Sequence, residues 1–559
     1  MRRGVDGLLW AALLALPAFG AGQVEVDLVN SERLDQLLRG GTLYLSLQDA
    51  LALALENNLD IEVQRYRVRK TETNLRRVEA GTGGLSFDPV LQSALGWGHT
   101  TTPNSISLIQ GSNAVVNSAR QFNFGISRAF LSGATASLAF NNNNQFTNSW
   151  LNDFNPYTTS SLGLKVTQPL LRGFGVAFNS TGFRIAKNDV RVADLQFRSQ
   201  VIDIITNVIG AYWDLVAFNE DVQLKEQALA VAERLESDNR KQVETGRLAP
   251  IEITRARAEI AARRQDLLVS RTNLLRQETT LKSMLSKTGV AAPELADARI
   301  IPADRIEVPD REKVEPIQDL VARAMESRPE LLQAGVQIES SKLNAKSAKN
   351  ALLPQVDAFV NLTNNALAGS ANAPATANPG DTSFLSQFRM AGPNPAFVGG
   401  YGTVLGQLFG RKFPDYSVGV QMSIPLRNRA AQAEYAATQL DVRIAELQRQ
   451  QVINQICVDV QNALIDVQQS RERYRAAVEN RTLAEQTLVA EQKKFAVGRS
   501  TAFQVILVQR DVASAQTLEI QTLADYARSR TALDRATGNI LRANHIQIDQ
   551  SMRGTVSGR

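Results

Sequence analysis

Apolar positions late in the chain recur at helical spacing. Ile453, Ile456, Val460, Leu464 and Val467 are separated by three, four, four and three positions, which places them on one stripe of a helix. The residues between them are mostly Ala, Leu, Gln, Glu and Arg, all good helix formers. No proline follows Pro425, and Gly498 is the only glycine from there to Gly538. The pattern predicts a helix over Ala430–Phe495, a turn at Gly498 and a helix over Thr501–Ala536. The first half reads alike: a helix over Val176–Val243, a turn at Gly246 and a helix over Pro250–Leu285. Helices over Ser46–Ala80 and Pro316–Asn350 open the two halves. Asn428 is placed to cap the second long helix, and Pro250 suits the first turn of the helix after Gly246. At 1.5 Å per residue the long helices reach about 100 Å. The two shorter helices of a half, stacked end to end, would match that length. Each half would then supply two parallel columns.

Elsewhere the period is two. Phe122, Phe124, Ile126 and Phe130 alternate with Asn123, Gly125, Ser127 and Ala129. Leu162, Leu164 and Val166 do the same, as do Val418, Val420, Met422 and Ile424, and more weakly Val356, Ala358, Val360 and Leu362. Strands are expected over Pro89–His99, Arg120–Phe130, Ala134–Asn143 and Ser160–Gln168, and as a pair flanking a surface loop, Thr363–Pro414. One apolar and one small or polar face fits a membrane barrel with a watery lumen. A soluble sheet with one buried face has the same period. LSGA at Leu131 reads as a short turn, and the polar stretch after Asn141 as a long outer loop. Four to six strands cannot close a membrane barrel, and open edges in lipid leave backbone groups unsatisfied. A barrel from this chain therefore requires several copies.

The chain also contains itself twice. LSLQDALALALENNLDI begins at Leu45 and EPIQDLVARAMESRPEL at Glu315. Gln48, Asp49, Ala52, Ala54 and Glu56 match Gln318, Asp319, Ala322, Ala324 and Glu326. VETGRLAPIEITRARAEIA around Gly246 matches FAVGRSTAFQVILVQRDVA around Gly498, with acids at Glu259 and Asp511. VTQPLLRGFG with Pro169 matches MSIPLRNRA with Pro425. Three matches in one order indicate internal duplication. The expected division is a signal peptide over 1–22, an extension over 23–45, a first repeat over 46–290, a linker over 291–315, a second repeat over 316–538 and a tail over 539–559.

Composition narrows the chemistry. Arg2 and Arg3 precede an apolar run from Leu8 to Leu16 and small residues in PAFGAG, the signature of a secretory signal peptide. A short buried helix or an anchor is the other reading. Past it, no run of about eighteen apolar residues marks a membrane-spanning helix. Cys457 is the only cysteine among 559 residues, so no intrachain disulfide forms, and its apolar helical setting predicts a buried thiol. The net charge of +5 is small and mixed along the chain, with no basis for nucleic-acid binding. His99 and His545 lie far apart, and no nucleotide loop, metal spacing or nucleophile motif occurs. No enzyme and no cofactor is expected.

With these motifs the chain resembles the outer membrane efflux proteins, the TolC-like channel-tunnels. The resemblance covers nearly everything after the signal peptide and rests on LSLQDALALALENNLDI with its repeat, VTQPLLRGFG, PDYSVGVQMSIPLRNRA and both glycine tips. It implies a mainly α fold with a membrane β-barrel: a homotrimer sharing one outer-membrane barrel and one long periplasmic helical barrel. Each chain would supply four helical columns, which agrees with two per half. The family's usual four strands per chain leave the pair within Arg120–Asn143 as an extra hairpin, which either widens the barrel or packs outside the common wall, the second being the expectation. The resemblance also implies a passive exit duct for efflux or type I secretion, joined to an inner-membrane pump by a periplasmic adaptor protein. By position the docking residues are Gly246, Arg247, Leu248, Gly498, Arg499 and Ser500. Where some members carry an acidic ring past the second tip, this chain has Gln504 and Leu507. Glu252 lies near, with Arg255 and Arg257 following; Glu252 is expected either to pair with Arg510 across a closed entrance or to be a solvated charge. Outside the family, a secreted trimeric coiled-coil fibre or adhesin and a soluble periplasmic scaffold remain as alternatives.

Overall fold

The computed structural model describes residues 28–81, 86–104, 113–149, 152–246, 248–309, 315–372 and 393–548. The signal peptide over 1–22, Arg247 and the last residues of the tail lie outside these.

The chain opens with a short helix α1 (Glu32–Leu37) and strands β1 (Leu38–Arg39) and β2 (Thr42–Leu45). The expected helix over Ser46–Ala80 is two helices, α2 (Leu47–Asn57) and α3 (Leu59–Ala80). Asn58 breaks them. Its backbone is extended (φ −67°, ψ 123°) and its side chain accepts from the N–H of Asp60 and Ile61, a helix cap in mid-sequence. Strands β3 (Val90–Pro103), β4 (Ala114–Ala129), β5 (Thr135–Thr147) and β6 (Phe154–Pro169) follow, then the long α4 (Thr181–Glu244) and α5 (Ile251–Leu285) and the short β7 (Arg299–Pro302).

The second half repeats this order with α6 (Ile317–Ser327), α7 (Pro329–Asn350), β8 (Gln355–Ala371), a helix α8 (Tyr401–Phe409), β9 (Phe413–Ser423), α9 (Arg429–Ala496) and α10 (Ala502–Ala536), and ends with α11 (Ile540–Ala543). Here too the expected single helix over Pro316–Asn350 is broken. Arg328 is extended because the residue before a proline is pushed out of the helical region. Within the expected loop Thr363–Pro414, β8 runs on to Ala371 and α8 is helical. Asn428 is not a side-chain cap: it is left-handed (φ 35°), and its amide donates to the carbonyls of Ala351 and Leu352 at 3.5 and 3.3 Å. Pro250 sits one position before α5, as its N-cap.

The two helix breaks are where columns join. The Asn57 amide donates to Leu285 O and that of Asn58 to Met284 O, both at 3.1 Å. The end of α5 therefore rests on the α2–α3 break. In the second half Ser327 Oγ donates to Thr537 O at 2.9 Å, so the end of α10 rests on the α6–α7 break. Val78 of α3 reaches the start of α4 at Gly182, while Arg257 and Arg271 of α5 pair with Glu236 and Glu226 near its far end. One long helix is thus faced by two shorter ones in line.

The largest core lies at the first junction. Leu51, Leu53, Leu55 and Ile61 pack with Phe197, Val201, Ile205, Val208, Tyr212, Leu281 and Leu285. An apolar stretch within 176–244, the segment that contains α4, is hydrophobic enough to cross a bilayer, but 56% of it is buried within the chain; its hydropathy is that of a core helix. The Tyr212 hydroxyl donates to Leu45 O at 3.0 Å and lies 2.9 Å from Asp304. These bonds tie α4 to a small sheet in which β2 pairs antiparallel with β1 and parallel with β7. Ile540 and Leu541 of α11 complete this core, so the residues after the second repeat return to the first. The second junction has a smaller core around Leu320, Ala324, Leu331, Ile456 and Val460. Cys457 is half-buried rather than buried.

All six long strands form one antiparallel sheet in the order β3-β4-β5-β6-β8-β9. The expectation that the extra hairpin packs outside the wall is overturned. β4 pairs with β3 from Val90–Ser127 to Pro103–Ala114, and β5 pairs with β6 from Thr135–Thr167 to Gln145–Tyr157. The register gives the reason. It puts Phe124, Ile126, Leu138 and Phe140 of the hairpin on the same face as Leu95, Leu164, Leu362 and Val418. Any other packing would split that apolar face. The opposite face carries Gln121, Asn123, Asn141, Asn143, Ser161, Lys165, Asn361, Thr363 and Ser417, cross-linked by side-chain bonds such as Asn361–Ser417 at 3.1 Å.

Candidate functional site at the hairpin tips

Both long helices end in the left-handed turn the sequence marks. Gly246 has φ 70° and Gly498 φ 74°, a region costly for residues with a Cβ. At the second tip the N–H of Gly498 donates to Phe495 O and that of Arg499 to Lys494 O, at 3.0 and 2.9 Å. This pair of bonds is the Schellman closure of a helix C-terminus. At the first tip Gly246 N–H donates to Val243 O at 2.9 Å and Leu248 N–H to Gln242 O at 3.3 Å. Ser500 Oγ donates to Glu491, which also pairs with Lys494 at 3.0 Å. The Ser500 hydrogen bond, then Lys494, holds the Glu491 carboxyl below the usual carboxylate range. Thr501 caps α10 by accepting from Gln504 N–H at 3.2 Å.

About two turns into α5 and α10 the two hairpins are joined, by a different pair from the expected one. Glu252 bonds Arg255 within its own helix at 2.7 Å. Arg510 instead donates to Glu259 from Nε at 2.9 Å, and Glu259 is also held by Arg263 at 2.7 Å. Glu259 is buried and Arg510 half-exposed. Burial raises the Glu259 carboxyl, but the hydrogen bonds of Arg510 and Arg263 outweigh it and leave it below its ordinary value. Arg255 makes a second link, its guanidinium 5.5 Å from the ring centre of Phe503 on α10. Gln504 is exposed and Leu507 half-buried.

Glu259, Phe503 and Glu491 are thus the residues that sequence reasoning did not single out as site residues. Glu259 carried a signal only as the repeat partner of Asp511. Further along, Arg528 reaches Asp214 at 2.8 Å and Arg535 reaches Asp203 at 2.6 Å. With Arg510, three arginines of α10 bind the first half. Among the described residues no group of three His, Cys, Asp or Glu side chains could hold a metal ion.

Long paired columns, tips closed by glycine and a sheet with one apolar and one polar face are the parts of an outer-membrane channel-tunnel. The chain belongs to the outer membrane efflux protein family, which matches residues 132–287 and 320–539. Solved structures with the same fold include the CmeC outer membrane channel of Campylobacter jejuni (TM-score 0.61, 13% identity, covering 91% of this chain and 90% of that one). The outer membrane protein VceC of Vibrio cholerae (0.58, 14%, 91% and 99%) and the open state of the MtrE outer membrane channel of Neisseria gonorrhoeae (0.57, 14%, 89% and 89%) are similar. No curated protein matches the chain. The protein is an efflux channel of the outer membrane with its helical part in the periplasm, and a transport duct rather than an enzyme.

Proposed function

We propose that three copies of the chain form one passive duct, coupled to an inner-membrane pump through a periplasmic adaptor protein. The observation that carries this is the sheet. Its strands β3 and β9 each lack a neighbour on one side among the described residues, and an open edge is not tolerated in lipid. Joining β9 of one copy to β3 of the next removes every edge. Three sheets of six then close about eighteen strands, a number that leaves an aqueous lumen in known barrels. The polar face, with Asn123, Asn143, Asn361 and Ser417, lines that lumen. The apolar face, with Tyr416 and Val418 exposed at 80% and 76%, meets lipid. Four columns per chain make a tunnel wall of about twelve.

At the far end, Gly246, Arg247, Leu248, Gly498, Arg499 and Ser500 form the adaptor's docking surface. Arg510–Glu259 and Arg255–Phe503 tie the two hairpins of each chain together at the entrance, beside Glu252, Gln504 and Leu507. Electron microscopy of the detergent-solubilised protein tests the duct. The expected image is a threefold hollow cylinder well over 100 Å long with an eighteen-stranded wall. A solid rod, or small particles without a lumen, would replace the duct by a fibre or a scaffold.

A further inference from the structure

The outward face of the sheet changes character partway up. The row that crosses the sheet beside Phe122 continues as Asn142, Ser160 and Ala366. The next row outward on the same face holds Asn144, Thr158 and Ala368. Amides and small side chains make a poor surface against hydrocarbon. Helix α8 lies over them. Val404 and Leu408 are fully buried with Ala366 and Ala368, against Phe140 and Leu162. Its first residue, Tyr401, lies against Phe122 of β4, the rings tilted and their centres 6.0 Å apart. Near its last, Leu408 O accepts from the Asn364 amide of β8 at 3.3 Å. The helix therefore crosses the strands from β4 to β8. Beneath it Asn142 and Ser160 are buried and bonded to each other at 2.5 Å.

The same segment closes a backbone gap. β9 begins at Phe413, opposite Asn365, so among the described residues the outer end of β8 has no strand on that side. Gln407 Oε1 accepts from Leu367 N–H at 2.9 Å, and Gly399 N–H donates to Gly369 O at 3.0 Å. Those groups would otherwise be unpaired at membrane depth.

The outer surface of α8 is made of Tyr401, Gly402, Gly406 and Phe409, with Leu405 half-buried at its margin, and the helix has no charged residue. Phe409 is 74% exposed. The surface continues the apolar belt of Leu164, Val360 and Leu362 on the same face of the sheet. Two exposed cations, Arg411 and Lys412, follow at once. We propose that α8 is a membrane-interface helix. Its outward face contacts the acyl chains of the outer-leaflet lipid, and Arg411 and Lys412 meet the headgroup phosphates, as cations do at the edge of an apolar surface. This rests on the reading above that the apolar face of the sheet is the lipid face.

Spin labelling tests it in the full chain, reconstituted into phosphatidylethanolamine–phosphatidylglycerol vesicles. The single native thiol is removed as Cys457→Ala. Labels are then placed one at a time by Phe409→Cys and Gly406→Cys, positions with open space around them. The expected result is greater collision with oxygen, which dissolves in lipid, than with a water-soluble nickel chelate. A lumen control at Asn361→Cys shows the reverse order, and a belt control at Val418→Cys shows the lipid order. Nickel access at 406 and 409 would put α8 in water, and exclusion of both reagents would put it under another protein surface. Either result overturns the proposal while the belt control upholds the barrel. Failure of the belt control as well would overturn the lipid-face reading itself.

Discussion

Gly498 shows how one residue sets a turn. A Cβ there would meet nothing within 4 Å, so space does not require glycine. The backbone does, because φ is +74°. Gly498→Ala is expected to cost about 1 kcal/mol and to loosen the tip without a clash. Faster hydrogen exchange in the variant at the amides of positions 498 and 499, with the column amides unchanged, would show it.

Glu259 is the second case. Its carboxyl is held below the ordinary value, so its stabilising bond is present above that value and is lost as pH falls through the lowered one. Acidification should therefore weaken the tie between hairpins. Arg510→Ala should weaken it at neutral pH by about 1 kcal/mol, a modest amount because Arg510 is half-exposed and Arg263 stays in place. Conductance in planar bilayers is expected to rise in Arg510→Ala at pH 7. Acid should then add less opening to the variant than to the wild type. An unchanged conductance would remove this tie from gating.

At the scale of elements, the hairpin β4–β5 sets the width of the sheet. By connection β3 follows α3 as β8 follows α7, and β6 precedes α4 as β9 precedes α9. β4 and β5 are thus an insertion between matching strands. Because β3 and β6 run in opposite directions, they could pair once the hairpin is removed. Deleting 104–149 with a short joining loop should give about twelve strands in place of eighteen, and a barrel narrower by about a third, since diameter grows with strand number. Its single-channel conductance should fall accordingly. Unchanged conductance would mean that the hairpin does not widen the lumen. The split opening helices belong to this scale as well. The break at Arg328 had a local signal, the proline that follows it, although the helical period across Pro316–Asn350 predicted a single helix. Asn58 was not, because its capping role is indistinguishable by type from a solvent-facing asparagine in a helix.

At the scale of the whole molecule, the architecture was largely legible. Period 3.6 over tens of residues, period 2 in short runs and three repeated motifs in order identify long helices, strands and a duplication. Their mutual support leaves few folds open. The tips were legible because glycine in a left-handed turn is a local necessity. The tie between the hairpins was not. Glu252 and Glu259 are both acids on α5, and only the packing of α5 against α10 decides which one faces Arg510. Helix α8 was hidden inside a segment whose glycines and alanines read as loop. Its helical form depends on a sheet surface assembled from strands more than 200 positions earlier, such as β5 and β6.

The sequence by itself determined what is set by neighbours in the chain: the periods, the turns, the duplication and thereby the family. The tertiary structure alone decided what depends on residues distant in sequence: the place of β4 and β5 inside the sheet, the partner of Arg510 and the helix laid across the strands. Local propensity acts over a few residues. Register and side-chain pairing are set by surfaces that exist only once the distant elements have met.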